Sequence, residues 1–298
     1  MPNRRKKDLQ YLEEIRISDD PMPWEQGREI LSDTGLFLGR FTEDDLRRLM
    51  ERVGLMELMR SKGYTDLIFT LTRQDFTSRL YVNYERSGKE TRLIELILRE
   101  GIFRPKKTFI ERYDFQEGLT MILVEWLALQ NPKGVFTPER PKLPGQSHPG
   151  LGGLRNMQEM LYTFGEKCRK DAIVDVPQHY HAAVIYSRLY TSIYARMYSF
   201  FSPVDAGLFK ALTRDLDGWP LAQVSQAIGL GCLFNTVTGL HETWRPSEQI
   251  YPVTKRLHAY FESPEYQAIV ERTAAKAKYA IDWEKYQGML EQGVPDDV

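Results

Sequence analysis

Leu119-Thr-Met-Ile-Leu-Val-Glu-Trp-Leu-Ala-Leu-Gln-Asn-Pro132 leads, through a connection punctuated by proline and glycine, to Gln146-Ser-His-Pro-Gly-Leu-Gly-Gly153. The first run is the most apolar in the chain, with Glu125 its only charge, as expected of a central strand covered on both faces. Beyond Gly153 come a helix-like segment over 154–170, the short apolar run Ala172-Ile-Val-Asp-Val176 and a second helix-like segment from His181. Strand, glycine-rich turn, helix, strand and helix make a βαβα unit, and the turn of such a unit is a common seat for a ligand.

Upstream, residues 1–40 are polar and broken by Pro21, Pro23 and Gly27, and read as an N-terminal arm with one short helix near 8–15. Phe41-Thr-Glu-Asp-Asp-Leu46 opens a helix, with Thr42 as cap and the acids at 43–45 suited to the positive end of its dipole. Leu46, Leu49, Met50, Val53, Leu55, Met56 and Leu58 keep near-helical spacing as far as the stop signal Ser61-Lys-Gly63. Residues 66–72 and 79–85 are rich in β-branched and aromatic side chains and predict strands; the apolar run over 91–99 suits a short helix equally, and its place between the Ser87-Gly88 turn and Gly101 favours a third strand, the series joined as antiparallel hairpins. Downstream of 200 the spacing predicts helices over 203–216, 220–233, 247–261 and 264–280, then a loose tail over 293–298. The expected fold is α/β in the broad sense (α+β), a mixed central sheet flanked by helices. Its parts are an arm over 1–40, a main domain over 41–200 and a helical C-terminal extension over 201–298.

A chain of 298 residues can bury one large core or two modest ones. Its 42% hydrophobic and 27% charged residues belong to a soluble globular protein. With 40 basic and 41 acidic residues the net charge is −1, which argues against a broad nucleic-acid-binding surface, and no nucleic-acid partner is expected. Arg4-Arg5-Lys6-Lys7 has the charge to touch a phosphate or an acidic lipid, but reads first as a solvated, frayed terminus. No apolar run approaches the roughly 18 to 20 residues that span a bilayer, and no apolar stretch behind the N-terminal charges suggests a signal peptide. Cys168 and Cys232, the two cysteines, read as buried free thiols, and the expected location is cytoplasmic.

At the turn, Gly150-Leu151-Gly152-Gly153 lets backbone amides approach a ligand and aims a helix N-terminus at it, so phosphate is the natural guest. The Lys-Ser/Thr of a P-loop is missing, and so is the Gly-x-Gly-x-x-Gly of a dinucleotide fold. Coenzyme A is a third guest that carries a pyrophosphate. Residues 120–191 resemble the acetyl-CoA-binding half of the GNAT superfamily of N-acetyltransferases. The segment from Leu123 to Pro132 looks like that family's fourth strand, and Gln146-Ser-His-Pro-Gly-Leu-Gly152 like its pyrophosphate turn. His181-Ala-Ala-Val-Ile-Tyr-Ser-Arg-Leu189 is similar to its Asn-Ala-x-x-x-Tyr-x-x-Leu helix, with His181 in place of the asparagine.

The resemblance implies an acyl-CoA-dependent N-acyltransferase, with acetyl-CoA or another acyl-CoA as co-substrate and an amine as acceptor. In that chemistry an amine loses a proton and attacks the thioester, and the departing thiolate gains one. The amides of Leu127 and Leu129 would anchor the acyl-pantetheine. Gln146, Gly150, Leu151, Gly152 and Gly153 would bind the pyrophosphate. Tyr186 would be the general acid, and Glu125 the base, directly or through water, its burial as a lone carboxylate raising its pKa. Each residue has a plainer reading: Glu125 pointing out of a pleat or paired with an arginine, Tyr186 packed with Tyr180, Tyr190 and Tyr194, and the glycines merely shaping a turn.

His179-Tyr-His181, read on a strand with His148 near by, lacks an acid or thiol to complete a metal site, so no metal is expected. Without a basic field, Trp126, Trp219, Trp244 and Trp283 read as packing rather than base-stacking residues. The C-terminal part would shape the acceptor side or a homodimer surface. The alternative function is a non-catalytic binding or scaffolding protein that keeps the fold.

Overall fold

The computed structural model describes residues 17–18, 35–138, 140–188 and 198–292. The helix expected over 8–15 and the tail over 293–298 lie outside the described residues. By its contacts the chain divides into two units. One comprises the chain up to Pro132 with Gly150–Asp175 and Pro252–Leu257; the other comprises Lys133–Pro149, Val176–Tyr251 and the chain from His258 onward. This division does not follow the expected boundaries at 40 and 200, since residues 176–200 fall with the later part of the chain. The fold is mixed α/β with mostly antiparallel strand pairing. Among the described residues no helix is long and apolar enough to cross a membrane.

In the first unit, strand β1 (Ile17–Ser18) pairs with the end of a later strand, and helix α1 (Glu43–Arg52) starts as expected. The Thr42 hydroxyl accepts the Asp45 amide while the Asp45 carboxylate accepts the Thr42 amide, a reciprocal capping box. The single helix expected up to Ser61 is two. Gly54, at φ +80°, turns the chain in the left-handed region and opens α2 (Leu55–Ser61). The apolar spacing runs through this break because both helices bury the same side: Leu46, Leu49, Met50, Leu55, Met56 and Met59 are all in the core.

The predicted hairpins follow. Strands β2 (Leu67–Gln74), β3 (Thr77–Tyr84), β4 (Arg92–Phe103) and β5 (Leu119–Leu129) pair antiparallel in that order. The apolar run over 91–99 is a strand, and β1 pairs with its far end at Ile102 and Phe103. Helix α3 (Leu154–Lys167) buries Met157, Met160, Leu161 and Phe164 and returns the chain to β6 (Ala172–Asp175), which runs parallel to β5 through Met121–Leu123. Strand β5 is buried from Met121 to Val124. From Glu125 one face opens, and Trp126 is 45% exposed.

Beneath the sheet, on the buried face of β4, Glu100 accepts two cations. Lys170 Nζ lies 2.9 Å from one carboxylate oxygen and Arg73 Nη2 3.3 Å from the other. Burial, then the Glu100 charge, pushes the neighbouring Cys168 thiol up to about 11, so it stays protonated and inert.

In the second unit, α4 (Tyr180–Ser187), α5 (Pro203–Asp215) and α6 (Leu221–Gly229) pack around a core of Tyr180, Val184, Leu212, Val224, Ile228 and Leu233. The extension is not wholly helical. The helix expected over 220–233 stops at Gly229, Gly231 follows at φ +72°, and β8 (Leu233–Asn235) and β9 (Leu240–Glu242) form a hairpin in the stretch before 247. Asn235 fixes that hairpin, its side-chain oxygen accepting the amides of Val237 and Thr238. The expected helix over 247–261 begins as strand β10 (Gln249–Pro252), whose Gln249 and Ile250 pair with β7 (Ser199–Phe200), and is helical only over α7 (Lys255–Phe261). Helix α8 (Pro264–Lys276) precedes β11 (Tyr279–Ile281), which pairs with β8, and α9 (Trp283–Glu291) follows. Trp219 and Trp283 pack on each other at 4.4 Å and Trp244 packs edge-on to Tyr180, but Trp219 is 51% exposed and so is not a core ring.

Helices α5 and α8 approach at Gly207. A methyl group there would lie 2.5 Å from Thr273 Cβ and 2.8 Å from the Val270 carbonyl oxygen. Because one obstacle is backbone, Gly207→Ala is expected to lose about 1–2 kcal/mol despite alanine's better helix propensity. A urea midpoint equal to or above that of the parent chain would show that the two helices part without cost.

Candidate functional site

The candidate site in the first unit is built on the outer half of β5. Ile97 pairs with Trp126 and Leu98 with Val124, so Glu125 is the extra residue of a β-bulge. Beyond it the register is regular to Gln130, whose amide donates to the Leu93 carbonyl at 2.9 Å. Alternation along an antiparallel strand then turns the amides of Leu127 and Leu129 away from β4, toward the opposite edge. Strand β6 pairs with that edge only as far as Leu123. The glycine turn meets it again at the far end, where Gly150 bridges Gln130 and the Leu151 amide donates to the Leu129 carbonyl at 3.0 Å.

Leu151 therefore does not have the role expected of it. Its amide is bonded within the protein rather than offered to a phosphate, and its side chain is fully buried. Gly152 is exposed, at φ +89°, with open space where a side chain would stand. Gly153 caps α3 with no side-chain hydrogen bond, and a Cβ on it would lie 2.8 Å from both Leu55 and Leu58 of α2. A larger residue there would have to push both leucine methyls aside. The first turn of α3 carries no acid; it has the exposed Arg155, and Asn156, whose amide donates to the Val53 carbonyl at 2.5 Å. The result is a helix start with free dipole and a cation, fixed against the α1–α2 break.

Glu125 is not the lone carboxylate expected. Its Oε1 lies 2.7 Å from Arg99 Nε, both side chains being mostly buried. Arg99 pairs directly with Leu123, and Glu125 lies diagonally beside it at the bulge. This is the plainer reading of Glu125, a pairing with an arginine; which arginine it would be has no local signature in the sequence.

Gln146 and Tyr186 belong to the second unit. Leu143-Pro-Gly-Gln146 is a turn with Gly145 at φ +80°, and the Gln146 side-chain oxygen accepts the Leu143 amide at 3.1 Å. Gln146 thus holds its own turn. Tyr186 packs against Tyr198 at 5.6 Å, which packs against Tyr251 at 5.8 Å. Tyr190 and Tyr194, expected beside it, lie outside the described residues. His179 is the N-cap of α4 rather than part of a strand, and its ring stacks on His181 at 5.3 Å. His181 Nδ1 sits 2.8 Å from Ser225 Oγ on α6. Burial, then His179, lowers the His181 pKa to about 4, so it is a neutral imidazole near neutral pH. Among the described residues no three acids, histidines or cysteines cluster in a way that could hold a metal ion.

A scan of family models gives no match to the chain, and no curated protein matches it either.

Proposed function

We propose that the chain is an acyl-CoA-dependent N-acyltransferase-like protein of the GNAT type, transferring an acetyl or other acyl group to an amine. The observation that carries this reading is the end of β5. A bulge at Glu125, an edge released by β6 after Leu123 and two outward amides at Leu127 and Leu129 offer a backbone ladder to an extended amide-bearing chain. The pantetheine arm of coenzyme A is such a chain and would add to β5 like a further strand. The exposed Gly152 and the uncapped α3 start with Arg155 suit a pyrophosphate. Bound acyl-CoA supplies the activated thioester. Glu125, oriented by Arg99, would take the proton of the amine. Two free buried cysteines fit a cytoplasmic setting.

The second reading, a non-catalytic binding or scaffolding protein, is favoured by two observations: Leu151 has spent its amide on Leu129, and Glu125 is already ion-paired. Calorimetry with acetyl-CoA separates these readings. The expected result is saturable binding that Gly152→Val weakens by tenfold or more. No heat at high ligand concentration would remove both the cofactor and the enzyme. If binding is found, Tyr186→Phe should slow turnover with amine acceptors while affinity for acetyl-CoA holds, and unchanged turnover excludes Tyr186 from the chemistry.

A further inference from the structure

The connection between β4 and β5, residues 104–118, contains neither helix nor strand, and fifteen such residues in a hairpin are more than a turn needs. Three cations stack over three rings here. Lys107 Nζ lies 4.7 Å above Phe109, the Arg112 guanidinium 4.8 Å above Tyr113, and the Arg256 guanidinium 4.7 Å above Phe115. Tyr113 and Phe115 are themselves stacked at 6.4 Å. Arg256 comes from 142 positions further along the same unit's chain and also donates to the Asp114 carbonyl, so this is a built cluster rather than a run of sequence. Lys106, Lys107, Arg112, Lys255 and Arg256 are exposed. Lys106, Lys107, Lys255 and Arg256 form no ion pair among the described residues.

We infer that this loop, with Lys255 and Arg256, is a docking surface for an anionic phospholipid bilayer. Charge complementarity requires an anionic partner. Residues 104–118 and 252–257 together carry six cations against three acids, on a chain whose net charge is −1. A nucleic acid fits less well, because cations already cover one face of each ring and the rest of the chain supplies no basic field to follow a phosphate backbone. A bilayer needs only one local patch, with half-buried rings such as Phe109 and Tyr113 at headgroup depth and lysines and arginines around them. Because the patch lies at the Leu119 end of β5, about 30 Å of strand from Leu129, it stands independently of the acyl-transfer reading.

The test is co-sedimentation of the full chain with phosphatidylcholine vesicles, with and without phosphatidylserine. Binding is expected only to the acidic vesicles and should weaken as salt shortens the screening length. Each surface cation contributes about fivefold, so Lys106→Ala with Lys107→Ala should weaken binding roughly 25-fold at an unchanged melting temperature. Arg256→Gln serves as a second variant from the distant segment. Equal binding to both vesicle types, or acidic-vesicle binding indifferent to all three substitutions, overturns the proposal. So does the absence of vesicle binding alongside a single-stranded oligonucleotide complex that the same substitutions abolish.

Discussion

Lys170→Met is expected to remove about 3–5 kcal/mol of stability, the largest single loss among the changes considered. Methionine fills much of the same volume, so little packing is lost. The cost arises at Glu100, whose side chain is 8% exposed and would keep only Arg73, at 3.3 Å, against its charge. A carboxylate sealed from water with half its partners gone must either remain ionised at a penalty or take up a proton. Adding Glu100→Gln to the variant should therefore recover part of the loss, because a neutral amide needs only hydrogen bonds. The measurement is the urea midpoint of parent, single and double variants. A single variant within about 1 kcal/mol of the parent would mean that water or another group reaches Glu100.

Acid should weaken the second unit through His181. The imidazole has an ordinary value of 6.5 and in the folded chain is lowered to about 4. Above pH 6.5 neither folded nor unfolded His181 is protonated, so linkage contributes nothing. Between 6.5 and about 4 the unfolded chain binds the proton and the folded chain resists it, so stability falls as pH falls; below about 4 both are protonated and the loss is complete. The whole window amounts to about 3 kcal/mol. The surroundings explain the resistance. Helix α6 presents Ser225 and no ionisable side chain, His179 is stacked on the ring, and the positive end of α4 lies beneath both. Unfolding followed against pH should show this slope in the parent and lose most of it in His181→Asn. An unchanged slope in the variant assigns the acid sensitivity to other groups.

Legibility differed between parts of the chain for physical reasons. Strands β2 to β5 could be read because alternation and β-branched content repeat over eight or more residues. Strands β8, β9 and β11 have three residues each, too few for any period, and pairing rather than composition makes them strands. The helix from Thr42 was legible from its cap, whereas its division at Gly54 was hidden because the buried face continues across it. At the candidate site the glycines announced a turn. What the turn does with its amides depends on the Leu129–Leu151 hydrogen bond, which no side chain encodes. The partner of Glu125 depends on the register of β4 against β5, which spacing along β5 alone does not reveal.

The two units are threaded through one another along the chain, and this sets an order of events during synthesis. The Asp171 carbonyl, just ahead of β6, accepts the amides of Val253 at 2.9 Å and Thr254 at 3.2 Å, and Gly165 packs on Val253. Those partners leave the ribosome roughly 80 residues after β6, a delay of about 4–16 s at ordinary elongation rates. Throughout that interval the earlier unit waits with an unfinished edge while the segment from Val176 emerges. A gene fragment ending at 175 or at 200 encodes a body that lacks its last piece, so expression trials should retain the chain through Leu257 at least.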